Sequence, residues 1–347
     1  MQILPLIYSL VYLIGLGNKN NRKSKTILYY SIGFILIVIT IALDKTQFPD
    51  YYAYVSYFNS DFSLIEPSFI LLRYIIHYLK GSEIWLFSFY AIIGIGLKFY
   101  IFKRLTTLLF FTVAIYIASY WPYHELIQIR AGVAAAILLI SVIPLYEGKK
   151  EYFFFVLVAI FFHSSAVTFL PLWFIRRQLS HEKLIYMFII PLSMILYTMH
   201  LDVMNILQHI PISYIQNKIV GYMNLSEEVA ARGAVSAEEY NPFITWYMIK
   251  VLFCYILWFN CKKIHKHNKY YILLLKIYTI GLSLLWLFGG VPVIATRTSE
   301  LLGVVQVILI PLLVYSSWPV ICRYIIVYVY GIIWIIWNIN SFFKEVL

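Results

Sequence analysis

Ionisable side chains set among long apolar runs are the first candidates for chemistry, because a charge at membrane depth is costly and tends to be kept for work. In this chain they are Asp50, Glu66, Arg73, His77, His124, Glu125, Arg130, His163, Arg297 and Glu300. Arg130 heads the stretch Ala131-Gly132-Val133-Ala134-Ala135-Ala136. Small residues there allow a helix or a lipid to come close beneath a fixed guanidinium, a permanent cation whose planar fork suits phosphate oxygens. The plainer alternative is an arginine snorkelling at a helix end, or a partner for Glu125. His163 lies in Phe162-His163-Ser164-Ser165-Ala166, inside an apolar run. A neutral imidazole there is chemically suited to take a proton, and equally suited to bond one of the serines as a core residue. Arg297 follows the Gly289-Gly290-Val291-Pro292 approach to the next apolar run, three residues before Glu300; the two either serve a ligand or pair with each other. Asp50, with Tyr51 and Tyr54, suits sugar hydroxyls and ring faces, or else belongs to an interfacial tyrosine belt.

The elements that must position these groups are membrane helices. A bilayer core about 30 Å thick takes about 20 helical residues. On that ruler, apolar runs fall near 3–17, 26–43, 84–102, 105–121, 129–146, 152–175, 183–199, 243–260, 270–288, 301–316 and 324–340. The run 152–175 is long for one span and short for two. Charge decides how to count it. If it enters and returns, every basic cluster (Lys19–Lys25, Lys98–Arg104, Lys149-Lys150, Arg176–Lys183, Lys262–Lys269, Arg323) lies on one side, with only Glu147, Glu151 and Glu182 among the acids. That is the positive-inside pattern. The expectation is therefore about twelve crossings, with two broken arms of about 18 Å each and a turn near His163-Ser164-Ser165. Lys250 and Lys276 fall within spans.

Two long outer loops remain, 44–83 and 200–242. The first carries two expected interfacial helices. One spans roughly Asp50–Phe58. The other opens at Glu66-Pro67, with Phe69, Leu72, Ile76 and Leu79 as its apolar stripe and Arg73 and His77 on the other side.

Composition agrees. The chain has 347 residues, 62% hydrophobic and 12% charged, with a mean hydropathy of +0.80. A soluble domain carries about 25% charged residues. The whole chain, 1–347, therefore reads as a single all-α polytopic integral membrane domain. The 31 Tyr, 25 Phe and 9 Trp exceed what span formation requires, and suit headgroups and sugar rings. A net charge of +11 would suit nucleic acid, but its placement in loop clusters points to membrane anchoring and away from nucleic acid. Cys254, Cys261 and Cys322 have no metal-ligand spacing, and no metal, nucleotide or haem motif is present. No cofactor is expected.

At Asp50-Tyr51, at Glu66-Pro67, at Arg130 heading an Ala-rich span, and at Phe162–Ala166 after the short Gly148-Lys149-Lys150 loop, the chain resembles the Wzy-type O-antigen and exopolysaccharide polymerases of the EpsG-like branch. The resemblance covers roughly Asp44–Arg177 in spacing, and the later half in topology and Arg297. It implies a GT-C-like, metal-independent membrane glycosyltransferase of the bacterial inner membrane, with its active site facing the periplasm or outside. The substrates it implies are undecaprenyl-pyrophosphate-linked oligosaccharides. The growing glycan passes from its carrier to the next repeat unit, for lipopolysaccharide or exopolysaccharide. A flippase and a chain-length regulator are the implied partners, beside the bilayer itself. On this analogy Arg130 and Arg297 hold the pyrophosphate, His163 takes the acceptor proton, and Asp50 and Glu125 orient the hydroxyl or serve as the alternative base. Arg73, Glu300 and Tyr51 complete the expected substrate contacts. Ala131 departs from the polar neighbour expected after the arginine, which leaves the choice of base open.

Three rivals have distinguishing signs. A lipid-linked oligosaccharide flippase or other transporter would show two related halves; a membrane O-acyltransferase would turn a histidine toward an acyl donor. Another GT-C enzyme, using a polyprenyl-phosphate sugar, would carry an acidic pair in its first outer loop, of which Asp44 and Asp50 are a weak version.

Overall fold

The computed structural model of the chain describes residues 3–17, 22–60, 65–175, 182–201 and 241–342. Most of the expected outer loop 200–242 lies outside the described residues. Among the described residues every regular element is a helix. Five helical runs are long and apolar enough to cross a bilayer: Arg22–Ala42, Glu83–Leu105, Ile129–Glu147, Pro292–Tyr315 and Val320–Ser341. Seven shorter apolar helices accompany them. The outward residues of the peripheral helices, such as Ile3, Leu6, Leu10, Ile27, Phe34, Ile321 and Ile325, are exposed. Water-facing proteins rarely leave such continuous apolar faces open, whereas lipid accepts them. This is a membrane protein.

Packing divides the helices into two compact units. The first begins with α1 (Leu4–Gly17), α2 (Arg22–Ala42), α3 (Tyr51–Asn59), α4 (Pro67–Tyr78), α5 (Glu83–Leu105) and α6 (Leu109–Ser119). A buried π-helical turn, Trp121–Ile127, then leads into α7 (Ile129–Glu147), followed by α8 (Glu151–Phe162) and a 3₁₀ helix, Ser164–Phe174. The second unit holds α9 (Lys183–Thr198), α10 (Thr245–Phe259), α11 (Tyr271–Leu287) and α12 (Pro292–Gly303). The last helix, α13 (Val320–Phe342), belongs to the first unit.

Tyrosine is the cross-helix fastener of the first unit, a use its abundance did not reveal. Between apolar helices the hydrophobic effect supplies little, so close packing and interhelical hydrogen bonds carry more weight. Tyr8 and Tyr12 on α1 donate to the carbonyls of Tyr328 (2.8 Å) and Tyr324 (2.6 Å) on α13. Tyr29 on α2 donates to Phe99 of α5 at 2.6 Å. The α13 backbone admits the Tyr8 ring at Gly331, where a Cβ would collide with that ring.

The segment 152–175 folds back on itself. The α8 helix stops at Phe162, His163 is extended (φ −154°, ψ 120°), and the chain returns as the 3₁₀ helix. Trp173 comes back to lie 5.8 Å from the Tyr152 ring, and the Tyr152 hydroxyl donates to the Phe169 carbonyl. The preceding turn forms because Gly148 adopts a left-handed φ of 67°, open to a residue without Cβ.

Helix α4 begins at Glu66-Pro67 as expected, but its faces differ. Phe69, Leu72 and Ile76 are buried, and Arg73 is buried beside them; Leu79 is exposed. The opposite face is not polar, for Leu71, Tyr74, Ile75 and Tyr78 are exposed. A helix with apolar residues on both faces suits a site between protein and lipid. Topology reporters inserted after Gly148 and after Ile175 should fall on the same side of the membrane; opposite sides would mean that the two arms form one continuous span.

Candidate functional site

Glu66 is the point on which the first unit's candidate groups converge. As the residue before α4 it has an extended backbone (φ −63°, ψ 145°), a conformation that the following proline favours. Its carboxylate is only 6% exposed. One oxygen, Oε2, accepts from Nη1 of Arg130 in the first turn of α7. The other, Oε1, lies 3.3 Å from Nδ1 of His163 and accepts from the Ser164 backbone N–H (3.3 Å) and hydroxyl (3.2 Å). One carboxylate thus gathers Arg130, 64 residues away in sequence, and Ser164, 98 residues away, with His163 beside it.

The surroundings are aromatic. The Arg130 guanidinium lies 5.3 Å from the Tyr54 ring and 5.7 Å from that of Phe69, which stack on each other at 6.1 Å. Ser68 and Tyr90 join their hydroxyls at 3.1 Å, and the Tyr90 ring meets Phe162 edge-on. Arg130 therefore pairs with Glu66 and not with Glu125. Its Nε is buried and has no hydrogen-bond partner among the described residues.

Glu125 has a different partner at a different depth. It sits in the π-helical turn, and its Oε1 accepts from Lys98 Nζ and from the Tyr116 hydroxyl (2.8 Å). Lys98 also donates to the Gly132 carbonyl at 2.8 Å, bridging the turn to the start of α7. A Cβ on Gly132 would come within 2.5 Å of the His124 carbonyl, and one on Gly94 within 2.5 Å of Glu125 Oε2. Gly132, among the small residues after Arg130, thus admits backbone of the preceding turn, and Ala134, Ala135 and Ala136 beyond it are fully buried. Tyr90, Gly94 and Lys98 share one face of α5, so Lys98 lies about 12 Å along the helix from Tyr90. Lys98 is thus an interior residue, fully buried, and not the cytoplasmic anchor that charge counting made of it. His124 is also core, its ring 4.7 Å from Tyr120.

The outer-loop candidates are structural in their visible contacts. Arg73 donates to the Tyr57 (3.1 Å) and Ser60 carbonyls, closing the end of α3. His77 contacts the Phe58 carbonyl at 2.9 Å and stacks on that ring. Asp50 caps α3, its backbone carbonyl accepting from Tyr54 at 3.0 Å, and Tyr51 stacks on Phe87 at 5.6 Å. Asp44 accepts from the Thr46 N–H (3.0 Å) and hydroxyl (2.8 Å), which hold its carboxyl below the usual range. Burial pulls the neighbouring Lys45 down to about 8. Phe48 packs with Leu126 and Ile127, tying this loop to the π-helical turn.

In the second unit, Arg297 lies in the first turns of α12, half-buried. Glu300, one turn on, accepts from the buried Lys250 of α10. Lys276 of α11 donates to Glu182 at 2.9 Å. The glycine approach to α12 closes on protein: a Cβ on Gly289 would collide with the Tyr197 ring.

The sequence shows Glu66 without a role, and its charge pattern sets Lys98 among the cytoplasmic anchors, where its pairing with Glu125 is hidden. The available signal for Lys98 was a lysine inside the apolar run 84–102, which calls for a counter-ion. Replacing Lys98 with Met leaves the Glu125 carboxylate buried and uncompensated, and should cost about 3–5 kcal/mol. Thermal unfolding in detergent should show that loss, with recovery in Lys98→Met combined with Glu125→Leu.

The sequence pattern of the EpsG family matches residues 4–345. No curated protein and no solved structure matches the chain. With apolar helices throughout and a match from the first helix to the last, the chain belongs to the EpsG family and is a membrane protein of the polysaccharide-polymerase type.

Proposed function

We propose that this protein polymerises lipid-linked oligosaccharide repeats at the outer leaflet of the bacterial inner membrane. It moves a growing glycan from undecaprenyl pyrophosphate to the next repeat unit. The observation that supports this reading most is the convergence of Arg130 and His163 on the buried Glu66 carboxylate, walled by Tyr54, Phe69, Tyr90 and Phe162. A permanent cation, a proton acceptor and sugar-compatible rings are the parts such a transfer requires. The apolar exterior offers an isoprenoid tail a solvent of its own kind.

In this reading about twelve crossings place the Glu66 cluster toward the outside. Arg130 holds the donor's pyrophosphate and stabilises the charge it gains on leaving. His163 removes the proton from the acceptor hydroxyl. Asp50 and Tyr51, on α3, serve the sugars. For Arg297 and Glu300 the support is the family expectation alone, and Arg297→Ala tests it separately. Glu125, bound to Lys98 about two turns of α5 from the cluster, is better suited to fixing the π-helical turn than to acting as base. Charge stabilisation comes from protein cations, so chelators should leave the reaction intact. A flippase supplying repeats and a regulator of chain length are the partners the reading calls for.

Arg130→Ala and His163→Ala should each leave the protein in the membrane and abolish long glycan ladders. The decisive assay is the purified protein in liposomes with a lipid-linked repeat, product length being read on a gel. Full-length polymer from His163→Ala would remove it from the mechanism. A requirement for a divalent ion, lost with EDTA and restored by metal, would overturn the protein-only account of leaving-group stabilisation.

A further inference from the structure

Glu66 presents a difficulty that the proposed reaction leaves unsolved. If Arg130 is to hold a pyrophosphate, its guanidinium must face an anion, yet a carboxylate already occupies one of its nitrogens. The same carboxylate touches the candidate base through its other oxygen. An anion bound at Arg130 and the Glu66 carboxylate would repel each other across a short, poorly solvated gap, where charges interact far more strongly than in water. The arginine has a second edge to offer, because its buried Nε has no hydrogen-bond partner among the described residues.

We infer that Glu66 is a resident counter-ion which the donor's pyrophosphate displaces from Arg130, and that the displaced carboxylate then holds His163 as the working base. The inference rests on reading Arg130 as the pyrophosphate ligand. Before the donor arrives, Arg130 neutralises Glu66 and little negative charge faces His163. Once phosphate oxygens take the guanidinium, the carboxylate retains its contacts with Ser164 N–H, Ser164 Oγ and His163 Nδ1. A carboxylate held on Nδ1 fixes the imidazole tautomer and stabilises the imidazolium that forms when Nε2 accepts a proton. The other polar groups around the pair, Tyr54 from α3, Ser68 from α4 and Tyr90 from α5, are neutral hydroxyls. Arg130 is thus the cation that Glu66 exchanges.

The step balances. The acceptor hydroxyl gives its proton to His163 Nε2 as its oxygen bonds to the donor's anomeric carbon. The bond from that carbon to the pyrophosphate oxygen breaks, and the electron pair leaves with the pyrophosphate beside Arg130. When the product departs, Glu66 returns to the guanidinium and the base is switched off. A site armed only by its donor would spare the glycan from attack by water between rounds.

The test separates binding from turnover in the full-length protein. Inorganic pyrophosphate serves as the binding probe, and polymerisation of a lipid-linked repeat gives kcat and KM. Glu66→Gln removes the competing charge. It should bind pyrophosphate as tightly as wild type or several-fold more tightly, with kcat lowered about 100-fold or more, the usual scale of a lost general base. Glu66→Asp keeps the charge but is too short to span Arg130 and His163 together. It should keep its thermal midpoint, retain donor KM and lose kcat, covering the case in which the glutamine variant fails to fold. Weakening of pyrophosphate binding in Glu66→Gln to the level of Arg130→Ala would show that Glu66 merely props the arginine, and would overturn the exchange. Unchanged kcat in either variant would overturn it too. Failure of wild type to bind pyrophosphate, or loss of polymer without any effect of Arg130→Ala on binding, would instead strike the pyrophosphate reading itself.

Discussion

A carboxylate in an apolar interior stays ionised only beside a cation, and this requirement organises the helices of both units. Removing a charge from water costs several kcal/mol, which an adjacent opposite charge can offset when its geometry is good. Among the described residues three buried glutamates meet that condition, Glu66 with Arg130, Glu125 with Lys98 and Glu300 with Lys250, and the half-buried Glu182 takes the buried Lys276 in the same way. None of these pairs is local. The partners stand 64, 27, 50 and 94 residues apart, so each bond fixes one segment against another at a chosen height. Apolar side chains slide past one another at small cost, whereas a buried ion pair allows one register. In this chain the acids and bases act as pins between otherwise greasy rods.

Within the first unit the pins form a vertical series along one face of α5. Tyr90 meets Ser68 beside the start of α4, Gly94 makes room for Glu125, and Lys98 reaches both Glu125 and the Gly132 carbonyl. The π-helical turn Trp121–Ile127 is held between these contacts and α7. Its wider winding is a common device at functional positions, since it shifts the next turn of chain away from the path of a regular helix. That next turn carries Arg130. The arginine's position is therefore set from beneath by Lys98 and from the side by Glu66.

The primary sequence shows the helices and the break at His163 clearly, because those depend on run length, proline and glycine placement, and loop charge. Glu66-Pro67 announces α4, and Gly148 closes α7, for local reasons that the neighbouring residues reveal. The side-chain partnerships are not legible in the same way. Arg130 has Glu125 close by in sequence and Glu66 64 residues away, and nothing in the order of residues favours the distant one. Loop charge groups Lys98 with the cytoplasmic basics, because it reflects which loop a lysine adjoins and not that the side chain turns inward. Tyrosine, counted as an interfacial or sugar-facing residue, proves to be a donor to carbonyls on neighbouring helices. Its phenol combines an apolar body with one hydroxyl, which suits a dry seam as well as a wet rim.

The returning hairpin has a mechanical consequence. Its arms are wound differently: twelve residues of α-helix rise about 18 Å, and the eleven of the 3₁₀ helix about 22 Å. They are clasped at the open end, where Tyr152 meets the Phe169 carbonyl and the Trp173 ring. The lengths of the two arms are consequently coupled. One residue added to the α arm would swing Tyr152 by about 100° and off its clasp; one added to the other arm would turn Trp173 by about 120°. The imidazole at the tip is thereby located like the point of a pair of dividers, and insertions and deletions are excluded from both legs at once.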